Sequence, residues 1–188
     1  MRLQRADEHR RMPWTNGRGV TDEVIVVPAR GTWDWRLSIA EVNEDGPFSS
    51  LPGVERALVV ADGPGMTLFV GGSAVVLRVY EGTRFTGDDD VRAVLTRGPV
   101  RDLNLMVRRS SGFGAPELDV VRLDVGMTCG LSDCVAVIIL DGILGTGLNG
   151  AEEAGRFDVL VPDPGDFDGG VTLLALTASV MAFARLGI

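Results

Sequence analysis

Residues 54–72 read VERALVVADGPGMTLFVGG, and they align without gaps with residues 133–151, which read DCVAVIILDGILGTGLNGA. Five of the nineteen aligned positions are identical. Each copy contains an apolar strand, an Asp-Gly turn, a second strand and a glycine turn, which is the sequence pattern of a β-hairpin. Asp-Gly turns and Val/Ile runs are common enough to align by chance, but we favour a duplication of one structural unit.

The rest of the chain follows the same pattern of short apolar runs and turns. Glycine accounts for 25 of the 188 residues, and Gly, Pro and Asp clusters separate runs of β-branched residues. This spacing is typical of an all-β fold. Only the last stretch, through Leu186, could also form a helix. The predicted strands cover residues 21–27, 35–42, 56–61, 67–70, 74–80, 91–96, 101–108, 118–125, 134–140, 156–161 and 171–177.

The duplication also predicts the domain organisation. Paired hairpins that wrap into a small barrel look like the core of a cupin. We therefore expect an all-β bicupin, with two cupin-like barrel or sandwich halves packed into one compact unit. The segment SSGFGAP at residues 110–116 marks a boundary between the halves, at 1–112 and 113–188. A chain of this length can bury a continuous core.

Composition excludes several classes of partner. The net charge of -8 and the absence of a basic patch disfavour nucleic acid. No apolar window approaches the ~20 residues that a membrane span requires, and the N-terminus lacks a secretory signal, so we expect a cytoplasmic protein without a membrane partner. Cys129 and Cys134 are too few for a disulfide framework. All 18 basic residues are arginines, so any anion-binding cation is a guanidinium.

A histidine-based metal site is not expected. Most catalytic cupins hold a divalent metal with two or three histidines and a glutamate, whereas this chain has one histidine, His9, in an Arg-rich N-terminal segment. Carboxylate runs at residues 88–90 and 162–168 lack the spacing of a recognised calcium loop, and solvated turns are the simpler interpretation. We predict neither a metal nor another cofactor.

Residues 12–24, MPWTNGRGVTDEV, form the first of three segments with a chemical character. The Asn-Gly step at Asn16 and the glycines that follow it demand unusual backbone angles, as a tight loop over a cavity mouth would. Period-two alternation then places Thr21, Glu23 and Ile25 on one face of a strand. Glu23 is therefore either an inward carboxylate or an exposed one at the start of the strand.

The second segment lies in residues 33–56. Trp35 and Leu37 share a core face, while Arg36 and Ser38 share the opposite face. A cation beside a small hydroxyl suits a polar pocket wall and equally suits a solvated surface.

The third segment, GPVRDLNLMVRR at residues 98–109, alternates in the same way, with Leu103 and Leu105 opposite Asp102 and Asn104. Asp and Asn are poor strand formers, so their presence inside a strand needs a local explanation. That explanation is either hydrogen bonding to a ligand or to the Asn16 loop, or exposure on an edge strand. A register slip of one residue would invert these faces.

These three segments carry a resemblance to a known family. WTNGRGVTDE, WRLSIAEVNEDGPFS followed by PGVER, and GPVRDLNLM resemble the motifs of the HutD/Ves family in order and spacing. Arg18 departs from the pattern, since it occupies the usual place of a middle glycine. The resemblance implies a bicupin fold, an association with histidine utilisation or stress responses, and no established catalytic activity. It also implies a regulatory protein whose ligand is an acidic intermediate of histidine breakdown, such as formylglutamate.

The leading hypothesis is a metal-independent protein that senses or buffers a small acidic metabolite. Arg36 would pair with a carboxylate, Asn16 and Asn104 would offer amide hydrogen bonds, and Glu23 would accept one from the ligand. The full set of predicted ligand-binding residues is Trp14, Asn16, Glu23, Arg36, Ser38, Arg56, Asp102 and Asn104.

Two alternatives come from other functional classes. The first is a cupin-type hydrolase or isomerase with Glu23 or Asp102 as general base, which would need a carboxylate with a pKa raised by burial. The second is a ligand-free interaction protein. In that protein the second half would serve for dimerisation, and pairing of sheet edges would form the homodimer.

Overall fold

The computed structural model describes residues 1–14, 19–131, 133–147, 152–163, 166 and 172–187. Strands dominate these ranges, with two short 3-10 helices at Ala6–Glu8 and Arg109–Ser111. The all-β prediction is confirmed, and the sheets form sandwiches rather than closed barrels. In this part of the chain, no helix has the length and hydropathy needed to cross a membrane.

The strands fall into two compact units. The first unit is formed mainly by Arg10–Leu118, and the second by Met1–His9 with Asp119–Leu186. The N-terminal residues are grouped with the second unit because β1 (Arg2–Gln4) pairs with β17 (Val159–Val161). The predicted division at residues 112 and 113 stays a prediction.

The first unit contains two antiparallel sheets. Their strands are β2 (Arg10–Pro13), β3 (Gly19–Val27), β4 (Trp35–Val42), β5 (Gly46–Pro47), β6 (Val54–Asp62), β7 (Met66–Val70), β8 (Ser73–Leu77), β9 (Gly82–Thr86), β10 (Val91–Leu95) and β11 (Val100–Arg108). Six strands form one sheet in the order β2-β3-β4-β11-β6-β9, and four form the other in the order β5-β10-β7-β8. A shared apolar core includes Leu58, Val60, Leu68 and Val91.

The central strand β11 is buried on both faces. Leu103 and Leu105 are fully buried, as predicted for the core face. Asp102 and Asn104 on the opposite face are only 0% and 2% exposed. Solvent exposure on an edge strand therefore does not explain these two polar residues, since β11 lies between β4 and β6.

One predicted alternation is wrong. A β-bulge interrupts β3 between Glu23 and Ile25, so that Glu23 lies opposite Ser38 while Ile25 lies opposite Leu37. The extra residue in the bulge moves Ile25 to the other face. Thr21 and Glu23 keep the shared face that was predicted for them.

The second unit repeats the two-sheet arrangement. Its strands besides β1 and β17 are β12 (Pro116–Leu123), which starts in the first unit, β13 (Thr128–Gly130), β14 (Ala136–Asp141), β15 (Leu144–Gly145), β16 (Glu153–Ala154), β18 (Thr172–Ala175) and β19 (Ser179–Leu186). The sheets have the orders β1-β17-β14-β19-β12 and β13-β18-β15-β16.

The alternative of a helix through Leu186 is wrong. β19 pairs with β14, and burial on both faces overrides the helical preference of its Ala, Met and Leu residues.

The sequence repeat has a common backbone geometry in the two units. Val60 and Ile139 hold aligned positions, and each carbonyl accepts a backbone hydrogen bond from a turn, from Tyr80 at 2.7 Å and from Phe157 at 2.6 Å. Tyr80 and Phe157 both have positive φ angles, 69° and 65°. Positive φ is uncommon outside glycine, so its occurrence at the same place in both units supports the duplication.

Candidate functional site

The first unit contains a cavity of about 440 Å³. The inner faces of β4, β6 and β11 form its walls, and residues 44–51 contribute the remaining side. Six of the predicted binding residues line it, namely Trp14, Arg36, Ser38, Arg56, Asp102 and Asn104.

Antiparallel register brings the two arginines to the same level of the cavity. Met106 of β11 lies directly opposite Arg36 of β4 and directly opposite Arg56 of β6. Asn104 and Asp102 follow on the same face of β11, since side chains two residues apart point to the same side of a strand. The polar face left undecided by the sequence is therefore a cavity wall.

Arg56 is the most enclosed cation of the site. Its side chain is 5% exposed, and its guanidinium carbon lies 5.1 Å from the ring centre of Phe48 and 4.7 Å from that of Phe85. Nη2 donates a hydrogen bond to Oδ1 of Asn104 at 2.8 Å, whereas the buried Nε has no hydrogen-bond partner among the described residues. Burial lowers the pKa of Arg56 to about 10, although the charge of Asp102 opposes this shift.

Asp102 is fully buried beside this pair. Its Oδ1 accepts a hydrogen bond from Nδ2 of Asn104, and its Oδ2 has no partner in the ranges that the structure covers. Burial raises the pKa of Asp102 to about 7, against the opposing effects of Arg56 and Asn104. A substantial fraction of Asp102 is therefore protonated at neutral pH.

Arg36 is half-buried on β4, on the other side of β11 from Arg56. Nη2 contacts Sδ of Met106 at 3.7 Å, and the buried Nε has no partner within the described chain. The guanidinium carbon lies 5.7 Å from the ring centre of Trp33. Burial lowers the pKa of Arg36, while the nearby charge of Glu23 acts in the opposite direction.

Of the other two predicted binding residues, one lies away from the cavity and one is outside the part of the chain that the structure describes. Glu23 forms an ion pair with Arg10 at 3.5 Å and is not among the lining residues. Asn16 lies outside the described residues, as does Arg18. Trp14 reaches the cavity, where its Nε1 donates to Oγ1 of Thr21 at 2.8 Å.

Sequence reasoning missed the aromatic side of the site. Phe48 lines the cavity, and Phe48 and Phe85 pack edge to face with ring centres 6.1 Å apart. Phe48 belongs to the GPFS stretch, one of the motifs shared with the family, and this motif could have indicated Phe48 as a residue of the site. An aromatic residue beside a strand more commonly indicates core packing, so Phe85 carried no separate signal.

The corresponding part of the second unit is apolar. Asp102 lies opposite Val60, and Met181 lies opposite Ile139, the residue aligned with Val60 in the repeat. Two residues further along each strand, Phe183 takes the place of Asn104. Met181 and Phe183 both belong to the hydrophobic core of the second unit, so apolar side chains replace Asp102 and Asn104 at these two positions.

The described residues include no group of three or more His, Cys, Asp or Glu that could hold a metal ion. Guanidinium groups carry donors only and bind anions through charge-assisted hydrogen bonds, and the amide NH2 of an asparagine can add a further donor. The chemistry of this cavity therefore suits a small organic acid.

Comparison with known proteins supports one family. The HutD family model matches residues 6–179. An uncharacterised 21.2 kDa protein in the hutC 3′ region of Pseudomonas putida is 38% identical over 109 residues, which cover 56% of this chain and 57% of that protein. Protein Ves of Cronobacter sakazakii is 39% identical over 98 residues, covering 51% and 54%. The chain thus spans little more than half the length of these curated relatives.

Solved structures match over almost the whole chain. HutD from Pseudomonas fluorescens SBW25 has a TM-score of 0.76 and 29% identity, covering 99% of this chain and 97% of its own. A conserved protein of unknown function from Pseudomonas aeruginosa PAO1 has a TM-score of 0.84 and 28% identity, covering 100% and 98%. A cupin from Leptotrichia buccalis has a TM-score of 0.56 and 10% identity, covering 89% and 88%, which shows the fold alone. The chain belongs to the HutD family, whose name links it to histidine utilisation.

Proposed function

We propose that this protein binds an acidic intermediate of histidine breakdown, such as formylglutamate, in the cavity of the first unit without a metal. The observation that carries the proposal is the pair of arginines, Arg36 and Arg56, whose buried Nε groups have no protein partner in the described structure. A ligand carboxylate would supply the missing acceptor and neutralise a guanidinium.

The energetics favour an occupied cavity. An unsatisfied buried donor costs about 1–3 kcal/mol, and a ligand that accepts from it recovers this free energy. The cavity volume of about 440 Å³ also falls in the range typical of small-molecule sites. Formylglutamate carries two carboxylates and one amide, so it could engage Arg36, Arg56 and Asn104 together.

The biological role that we propose is regulation or buffering of this intermediate. The relationship with HutD of Pseudomonas fluorescens and with a protein of the hutC 3′ region supports the link to histidine utilisation. A cytoplasmic location fits this role because the intermediates of an intracellular pathway are present there. We also propose a homodimer, which static light scattering would test.

Isothermal titration calorimetry with formylglutamate and with urocanate tests the binding proposal. We expect saturable binding, and a loss of about tenfold to a hundredfold in affinity for Arg36→Ala, since a charged hydrogen bond contributes about 1.5–3 kcal/mol. Arg92→Ala is the matched control, because Arg92 is an exposed arginine of β10 outside the cavity lining. The proposal is wrong if neither acid binds, or if both variants behave alike.

A second candidate function is supported by Asp102. A buried carboxyl with a pKa of about 7 is suited to general acid-base catalysis, so the same cavity could serve a hydrolase or isomerase. Glu23 is less suited to this role, since its carboxylate pairs with Arg10. NMR time courses with formylglutamate and urocanate would detect turnover, and loss of product in Asp102→Asn would favour the enzyme.

A further inference from the structure

We propose that binding of an anionic ligand in this cavity takes up one proton at Asp102. The inference rests on the proposed function, because it requires a carboxylate ligand in the cavity of the first unit. It assigns Asp102 as the residue that makes ligand affinity depend on pH.

The arrangement of the side chains separates Asp102 from its nearest cation. Arg56 donates to Oδ1 of Asn104, and Asn104 in turn donates to Oδ1 of Asp102. Along the described chain, Asp102 forms no ion pair and its Oδ2 accepts no hydrogen bond. Arg56 therefore stabilises ionised Asp102 through its charge alone, across the intervening amide.

A ligand carboxylate changes that balance. The unpartnered Nε groups of Arg36 and Arg56 are the donors available to it. Once the ligand has neutralised Arg56, ionised Asp102 loses its main compensating charge and also faces a second negative charge in the same enclosed space. Like charges in a buried site disfavour double ionisation, so Asp102 binds a proton when the ligand binds.

Other charged groups surround the cavity and share in its electrostatics. Besides the two arginines, Glu44 and Asp45 line its exposed rim, and Glu23 lies near Arg36 on β3. Asp45 accepts a hydrogen bond from the backbone of Leu95, and Glu23 pairs with Arg10. Asp102 is distinguished from all three by complete burial and by its unpartnered oxygen.

The direction of the effect follows from linkage. The free protein carries a mixture of protonated and ionised Asp102 near neutral pH, because its pKa is about 7. Protonated Asp102 favours the anion, so affinity falls as the pH rises above about 7. One linked proton limits this decrease to about tenfold per pH unit.

Calorimetry in two buffers measures the number of protons that the protein takes up when the ligand binds. Formylglutamate is titrated into wild-type protein between pH 7 and pH 9, in triethanolamine and in Tris, two amine buffers that differ in their heats of ionisation and add no anion that competes for the arginines. We expect the binding heat at pH 8 to differ between the buffers by an amount that corresponds to about one proton per ligand. The affinity should decrease across the same pH range.

Two variants identify the group that takes up the proton. In Asp102→Asn, which has no titrating carboxyl, the buffer-dependent heat and the pH dependence should disappear. His9→Asn should retain both, since His9 belongs to the second unit and histidine is the other side chain that commonly titrates near neutrality. The wild-type heats remain a test even if Asp102→Asn does not fold.

The outcomes separate the two proposals. Binding with equal affinity at every pH and with buffer-independent heat overturns the role of Asp102 while leaving the ligand class intact. Proton uptake that persists in Asp102→Asn overturns it as well. Absence of binding at every pH overturns both the ligand proposal and this inference.

Discussion

At the scale of single residues, the centre of the site is a guanidinium, an amide and a carboxyl that are joined in series by two hydrogen bonds. Arg56, Asn104 and Asp102 are each at most 5% exposed. A direct ion pair between Arg56 and Asp102 would satisfy both charges and leave little attraction for a ligand. The amide of Asn104 instead divides the two charges, which leaves donor groups of Arg56 available to an anion.

Asp102 should make the protein less stable as the pH rises. Its pKa is about 7 in the folded protein against an ordinary value of 3.8, so its protonated form favours folding. This contribution is complete below about pH 4 and is lost as the pH rises to about 7, with a magnitude on the order of 4 kcal/mol.

Urea unfolding between pH 4.5 and pH 8 measures this contribution as a difference between wild type and Asp102→Asn. The comparison is needed because Asp88 and Asp166 make the protein more stable as the pH rises, which is opposite to the effect of Asp102. Their hydrogen bonds lower their pKa values, so their ionised forms favour folding. We expect the free energy of unfolding of the wild type to fall relative to that of the variant as the pH rises. Parallel curves for the two proteins would contradict this assignment.

At the scale of elements, strand order decides which side chains meet. β11 lies between β4 and β6, so its inner face receives one arginine from each side. β19 has a similar position beside β14 in the second unit but presents Met181 and Phe183. The same hairpin framework therefore supports a polar cavity in one unit and an apolar core in the other.

The Asp-Gly turns of the two hairpins need glycine for a steric reason. A Cβ at Gly63 would lie 2.5 Å from the carbonyl oxygen of Pro99, and φ is +94°. Gly63→Ala should therefore reduce the free energy of unfolding by about 1–3 kcal/mol more than Gly72→Ala. Gly72 is the matched control, because its φ is +87° and nothing lies within 4 Å of an added Cβ. If urea unfolding shows equal losses in the free energy of unfolding for the two variants, the predicted clash between the added Cβ and the Pro99 carbonyl is relieved without cost.

At the scale of the whole molecule, the two units have diverged, and among the described residues a polar cavity in the first unit corresponds to apolar core positions in the second. The second unit has Met181 and Phe183 where the first has Asp102 and Asn104, and both side chains are buried in its core. The chain as a whole carries a charge of -8, so its overall field repels an anion, and the arginines of the cavity attract one only at short range. Long-range steering of an acidic ligand is unfavourable, and local hydrogen bonds must supply the affinity.

This divergence predicts a stoichiometry of one ligand per chain. Calorimetric titration with formylglutamate should saturate at a molar ratio near one, because the described residues place Arg36 and Arg56 at the cavity of the first unit, whereas Met181 and Phe183 fill the matching core of the second. Met181→Ala, in the second unit, should leave that ratio unchanged as long as the variant folds. A ratio of two in the wild type would require a second site and would contradict the assignment.

The sequence by itself determined the all-β class, the hairpin repeat and the alternation of β11, because strand periodicity and turn residues act locally. It also indicated Arg36, Ser38, Asp102 and Asn104 as a polar set, but it left open whether they face a cavity or solvent. Tertiary structure decided that question by burying both faces of β11 and by placing the bulge in β3. The pKa of Asp102 and the aromatic contacts of Arg56 likewise depend on strands far apart in sequence, since desolvation and charge proximity arise only when those strands pack together.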